Sequence, residues 1–128
     1  TIAVSKAAGA RVVQEAWLGF GPTKNKANTH ALHNWILQLD ADEIPDLRLQ
    51  QAIRDLSLEN EKELFRMQFK SFLGDQWIRF GEWGKDFHIR LFNRKQVQWN
   101  EAPVHEQLIY DNSFIITQLP GFIEHKTM

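Results

Sequence analysis

The segment Trp35-Ile-Leu-Gln-Leu-Asp40-Ala-Asp42-Glu43 constrains the fold more than any other, because an apolar run ends there in three carboxylates. Ile36, Leu37 and Leu39 leave little room for a solvated face, so the run predicts a buried strand. Acids at the carboxyl end of such a strand lie where open α/β sheets bind ligands, and strand alternation would set Asp40 and Asp42 on one side of the backbone. Clustered like charges repel unless a cation or hydrogen-bond donors offset them. Hard oxygen ligands in a chain without cysteine select Mg²⁺ or Mn²⁺, and Mg²⁺ is usually held by one or two carboxylates plus substrate phosphates. The expectation is a nucleotide-phosphate site. For Glu43, a ligand role and a structural role as a first-turn acid or helix cap both stand.

Composition narrows the alternatives. A chain of 128 residues, 43% of them hydrophobic, fits one domain with a core. Its 15 basic and 16 acidic side chains leave a net charge of −1, so no overall field favours nucleic acid or an anionic bilayer. The lack of cysteine excludes disulfides and thiolate zinc sites and is compatible with a reducing compartment. No apolar run approaches the roughly 18 residues of a membrane span, and no signal peptide is visible, so a soluble cytoplasmic protein is expected. The chain opens at Thr1 without Met, inside a segment of helical character from Ile2 to Gly9. Ile2, Val4 or Ala8 would face a core and Gly9 would cap the helix C-terminus. We expect a piece of a longer protein.

Along the chain, Ala10–Glu15 reads as a short strand and Trp17–Pro22 as a loop punctuated by glycine and proline. Thr23 is the expected N-cap of a helix from Lys24 to about Leu32, which delivers the chain to the strand ending at Asp40. This strand-helix-strand order signals an α/β layer. Asp46 can cap a helix over Leu47–Leu56, with Leu49, Ile53 and Leu56 on one stripe. After a polar linker from Ser57 to Glu63 the period changes to two. Phe65, Met67 and Phe69 alternate with Arg66, Gln68 and Lys70, and Gly74-Asp75 turns the chain into Trp77–Phe80. Further strands are expected at Phe87–Phe92, Gln96–Trp99 and Val104–Tyr110, with a turn at Asn93–Lys95. The second half is therefore strand-rich and in part antiparallel.

Other side chains carry chemistry beside a plainer alternative. His30 and His33 read as surface or helix-end residues. His105 and Glu106 are adjacent in a strand pattern and face opposite ways. His125 is either a metal ligand or a core histidine. Trp77, Phe80, Trp83 and Phe87, with Gly81 and Gly84 between them, can stack on a sugar or close a core. Asp86 and Arg90 can orient a hydroxyl-bearing substrate or form a structural pair. Lys24 and Lys26 flank Asn25 where helix N–H groups favour anions, or belong to a solvated helix face.

Taken together, several words resemble a glycosyltransferase of family 2, the inverting enzymes with a GT-A fold. They are Gly9-Ala-Arg-Val, Trp17-x-Gly19-Phe-Gly21-Pro-x-Lys24-Asn25-x-Ala27, Trp35 to Glu43, Arg90-Leu-Phe-Asn-Arg94, Trp99 and Val104-His105-Glu106. The subgroup they resemble is that of the lipopolysaccharide core-biosynthesis enzymes of β-1,4-glucosyltransferase type. The resemblance implies a three-layer α/β fold shortened at its N-terminus, with residues 1–46 the remainder of a nucleotide-binding half and residues 47–128 an acceptor-binding half. It implies a UDP-linked donor bound with Mg²⁺ or Mn²⁺, Asp40 near the ribose or metal, Asp42 on the metal, and His125 approaching it. Lys24 and Asn25 would lie by the nucleotide. Glu106 would be the general base, with Asp86 as second choice, while Trp77, Trp83, Arg90 and His105 would meet a glycan or lipid-linked glycan acceptor. The setting implied is the cytoplasm or the cytoplasmic face of the inner membrane, with peripheral membrane association of the parent.

The chain departs from the family pattern in lacking two strands ahead of Thr1, which in the family lie between the strands at Val12 and Leu37. The gap leads to one of two expectations: this sequence omits a natural N-terminal part, or the fragment rearranges, with Val12 pairing directly with Leu37 or with another copy of the chain in a homo-oligomer through exposed strand edges. Two further readings stand beside the transferase. One is a non-catalytic or oligomer-forming domain; the other is a metal-dependent phosphohydrolase, for which no second His/Asp word is found.

Overall fold

The computed structural model describes residues 2–73, 76–78, 86–102 and 107–127, with the side chains of residues 73, 76–78 and 127 outside that description. Along the chain run α1 (Ile2–Ala7), α2 (Phe20–Thr29), β1 (Trp35–Leu37), β2 (Glu43–Pro45), α3 (Leu47–Arg54), β3 (Glu63–Leu73), β4 (Gln76–Ile78), β5 (Phe87–Asn93), β6 (Gln98–Trp99), β7 (Leu108–Ile109) and β8 (Ile115–Thr127). They divide into two compact units, Thr1–Leu32 with Gln98–Ile109, and His33–Val97 with Tyr110–Met128.

The smaller unit holds α1, α2 and the two-residue ladder of β6 and β7. Gly9 ends α1 with φ +91°, as expected, but α1 buries no side chain and Val4 is exposed. Helix α2 starts at Phe20, three residues before the expected cap. Gly19 takes the N-cap position at φ +101°, Pro22 falls in the first turn where its missing N–H costs nothing, and the Thr23 hydroxyl accepts from Leu18 N at 3.0 Å. Gly21 is obligatory, because a Cβ there would lie 1.7 Å from the carbonyl oxygen of Asn100. The expected strand at 10–15 is irregular: it joins no ladder, and a lone extended segment gains nothing from its backbone polar groups. The predicted strand-helix-strand order therefore loses its first member.

The larger unit is a mixed sheet of order β1-β5-β3-β8-β2, with β4 hairpinned onto β3. Among the described residues of this sheet, β3 and β8 are the one pair that runs parallel. Alternation in β3 buries Phe65, Met67 and Phe69, which pack with Leu91, Leu119, Ile123 and Leu49 of α3 into the core. Asp46 caps α3 as expected, accepting from Leu49 N at 2.8 Å, and its other oxygen accepts from Phe122 N at 3.0 Å. One carboxylate thus ties helix to sheet.

Strand β8 is absent from the expectations because Pro120 and Gly121 disguise it; proline removes a ladder donor and is rare in central strands. The chain solves this with an irregularity: Arg66 pairs with Gln118 but Gln68 with Phe122, so residues 119–121 leave the ladder. Gly121, at φ +89°, lies against the helix end, where a Cβ would come within 2.5 Å of Leu49 N.

Strand β1 is a sheet edge with Leu37 exposed, not the buried strand expected, and its register partners are Leu91 to Asn93 of β5, not Val12. Its opposite edge partner in strand order is β2, four spacings away, about 19 Å in a flat sheet. From Leu37 to Glu43 a fully extended chain reaches only about 20–22 Å. Yet the connection contains a turn in which Glu43 N donates to Asp40 O at 3.1 Å. The sheet must curl to let the two edges meet. Arg90 of β5 holds them: Nη1 and Nη2 bond Glu43 Oε1 and Oε2 at 2.7 and 3.1 Å, and Nη1 reaches Gln38 O at 3.3 Å. The Glu43 side chain is buried at 4% exposure and that of Arg90 largely so at 12%. Glu43 is therefore neither a first-turn acid nor a helix cap.

Two outcomes test this account. Asp46→Ala removes the α3 cap and the Phe122 bond and is expected to cost about 2 kcal/mol, read as a lower midpoint of urea unfolding with unchanged slope. Arg90→Met strands a buried carboxylate and is expected to cost about 3–5 kcal/mol, most of which the double variant Arg90→Met/Glu43→Leu should regain. A single variant as stable as the parent would dismiss the closure role.

Candidate functional site

The acidic turn between β1 and β2 carries the strongest sequence signal, but strand alternation does not position it. Strand β1 stops at Leu37, and Asp40 and Asp42 sit exposed on the connection. What orients the turn is its surroundings. Asp40 N donates to Glu43 Oε1 at 2.9 Å, Asp42 O accepts from Lys126 N at 3.0 Å, and Glu43 faces His125 in the β2–β8 register. His125 Nε2 then lies 2.7 Å from Asp42 Oδ2, with both side chains partly exposed. A carboxylate and an imidazole offer oxygen and nitrogen donors of the kind Mn²⁺ accepts. Among the described residues, no three His, Asp or Glu side chains form a group that could hold a cation by themselves. A cation held by this pair would have to complete its coordination with phosphate oxygens and water, the usual habit of Mg²⁺ sites.

A second arrangement centres on Phe69. The Arg90 guanidinium lies 5.0 Å over its ring, and the His88 imidazole meets its edge at 4.9 Å. His88 Nε2 is 2.7 Å from Asp86 Oδ1, and the Asp86 carbonyl accepts from Phe69 N at 2.8 Å. His88 is opposite Met67 and His125 opposite Ser71, so both imidazoles belong to the sheet face that carries the core. Asp86 does not pair with Arg90: each has a separate partner, His88 and Glu43 respectively. Arg90 is spent on the acidic turn and acts as a positioning group there. His88 is the residue that sequence reasoning missed, although its i, i+2 spacing from Asp86, which immediately precedes β5, suits two side chains on one side of an extended backbone.

The smaller unit answers differently for Lys24 and Asn25. The Asn25 amide donates to Trp99 O at 2.9 Å and accepts from Trp99 N at 2.8 Å, clamping the β6 backbone. Lys24 Nζ lies 4.2 Å over the Trp99 ring. A groove of about 480 Å³ runs between alternate residues Arg11, Val13 and Glu15 on one side and, on the other, Thr23 and Ala27 of α2 with His30 and Ala31 just past its end. His30 caps the C-terminus of α2 and pairs with Glu15 at 2.8 Å. Glu106, His105 and Trp83 lie outside the described residues. Trp77 occupies β4 opposite Phe72, and its side chain is outside the description.

No helix among the described residues is long and apolar enough to cross a membrane. No family model matches the chain. It is similar to bacterial proteins that carry the name uncharacterized glycosyltransferase. With that of Rickettsia typhi it shares 33% identity over 119 residues, 87% of this chain and 40% of the relative. With that of Rickettsia felis the identity is 32% over 119 residues, covering 87% and 41%. With that of Rickettsia prowazekii it is 27% over 125 residues, covering 91% and 42%. The chain spans about two-fifths of the length of these curated relatives, and over that span it is a relative of proteins named glycosyltransferases.

Proposed function

We propose that this chain carries the donor-phosphate corner of an inverting glycosyltransferase of the GT-A kind, which moves a sugar from a nucleotide-sugar, UDP-linked by resemblance, to a hydroxyl of a glycan or lipid-linked glycan in cell-envelope polysaccharide synthesis. The observation that carries the reading is the Asp42–His125 pair on the acidic turn, 2.7 Å apart and open to solvent, in a chain whose relatives bear the transferase name.

Asp42 and His125 would hold Mg²⁺ or Mn²⁺, with Asp40 beside them toward the ribose. A divalent cation bound there supplies charge neutralisation for the departing diphosphate. The chain's own residues do the rest. Arg90 and Glu43 keep the turn in place before substrate arrives, so orienting it needs no ordering during the reaction. The acceptor hydroxyl oxygen forms the new bond to the anomeric carbon as the bond to the diphosphate oxygen breaks, inverting the centre. The hydroxyl proton passes to a carboxylate, for which Glu106 and Asp86 are the candidates. Trp77 and Trp83 are the rings offered to the acceptor sugar.

Titration with UDP in the presence and absence of Mn²⁺ tests the donor corner. UDP binding that requires Mn²⁺, and that Asp42→Ala weakens at least tenfold, is the expected outcome. Metal-independent or absent binding returns the chain to the non-catalytic reading. In transfer assays, Asp86→Asn should lower kcat by about 10²–10⁴-fold if Asp86 takes the proton, while UDP affinity stays within twofold. Unchanged turnover would leave that role to Glu106.

A further inference from the structure

The sheet face that carries the core holds two carboxylate–imidazole pairs, Asp42–His125 beside β2 and β8 and Asp86–His88 at the start of β5. The second is built into the sheet by one buried residue. Phe69 of β3, 6% exposed, donates its N–H to the Asp86 carbonyl at 2.8 Å and sets its ring at 89° to the His88 imidazole, with centroids 4.9 Å apart. The same wall therefore fixes the backbone at one end of the pair and the ring at the other. The Arg90 guanidinium, 5.0 Å over the Phe69 ring, is itself locked on Glu43. The chemical ends of the pair stay open, with the Asp86 and His88 side chains 57% and 52% exposed.

Register gives the spacing of the two pairs. Asp86 continues the β3–β5 ladder one step beyond Phe87 and Gln68, which sets it beside Phe69, while His125 lies beside Ser71. Two strand spacings and two residues separate them, roughly 12 Å between backbones in a flat sheet. The curl that Arg90 and Glu43 close draws the side chains nearer. Such an interval suits a sugar ring with a cation-bound phosphate on one side and an incoming hydroxyl on the other.

We propose that His88 is a positioning residue for proton removal: it engages Asp86 Oδ1 at 2.7 Å and so turns Oδ2 toward the acceptor hydroxyl. The inference rests on the transferase reading above, with Asp86 as the carboxylate that takes the proton. The terminal torsion of an aspartate is broad, and misplacing a reacting group by about 1 Å costs on the order of 10²-fold in rate. An imidazole held by Phe69 removes that freedom. In the step itself the acceptor oxygen bonds to the anomeric carbon, the electrons of the broken bond stay on the diphosphate, and the hydroxyl proton moves to Asp86 Oδ2. His88 takes no proton from the substrate. A pair kept for stability alone is the poorer account, since ion pairs that water reaches contribute little.

Turnover of UDP-glucose and UDP-galactose with Mn²⁺ tests the role. His88→Ala should lower kcat about 10–10²-fold while UDP affinity stays within about twofold. His88→Gln, whose amide N–H can stand where Nε2 stood, should recover to within about threefold of the parent, and His88→Ala added to Asp86→Asn should cost less than about twofold more. The pair is also read without turnover: the ring-nitrogen NMR resonances of His88 should move in Asp86→Asn and hold in Asp42→Ala. Resonances unmoved by Asp86→Asn, no recovery in His88→Gln, or a full further loss on top of Asp86→Asn overturns the inference. So does Mn²⁺-dependent UDP binding without turnover, or turnover that Asp86→Asn leaves unchanged; in both cases the donor corner stands. Absent UDP binding by the parent instead removes the transferase reading, and this inference with it.

Discussion

The buried Arg90–Glu43 pair is the constraint from which the larger unit takes its shape. Its two carboxylate oxygens meet two guanidinium nitrogens, and it joins strands that stand at opposite sides of the strand order. A flat sheet would hold β1 and β2 about as far apart as the connecting residues can stretch. Closing that distance with a turn obliges the sheet to curl. The same ion pair also engages Asp40 N and Gln38 O, so the geometry of the acidic turn and the curvature of the sheet are one problem with one solution. Burying two charges is costly, and the full set of partners is what makes it tolerable.

Around that pair the chemistry is organised in layers. Asp42 and His125 stand outside, partly exposed, while Glu43 and Arg90 stand behind them, bonded to each other and to the backbone of Asp40 and Gln38. Phe69 connects this corner to the Asp86–His88 pair by touching both Arg90 and His88. A carboxylate and an imidazole at the surface can exchange protons or hold a cation because water and ligands reach them. A buried pair of fixed partners can only position, and Arg90 belongs to that second class.

The parts legible beforehand were those in which neighbours in sequence are also neighbours in space. Asp46 as the α3 cap, the alternation of β3, β5 and the hairpin from β3 into β4 all depend on residues within a few positions of each other. Sequence places the start of α2 too late because a glycine at the N-cap with positive φ and a proline in the first turn look like loop punctuation. Strand β8 was missed because its proline and glycine sit in an irregularity that exists only beside β3 and α3. The pairing of Asp86 with His88 was within reach of a period-two reading, whereas the pairing of Arg90 with Glu43 spans 47 positions and no local pattern announces it.

By itself, then, the sequence determined the chemical inventory: acids after an apolar run, histidines at 88 and 125, cations alternating with rings along β3, and the capping and turn residues that short-range hydrogen bonds require. Tertiary structure decided which of these groups meet. It placed Asp42 against His125, withdrew Glu43 and Arg90 from solvent, and committed Asn25 to the backbone of Trp99. The physical reason is that strand pairing and burial are contacts between distant residues. Their energies depend on register and sheet curvature, quantities no stretch of neighbouring residues contains.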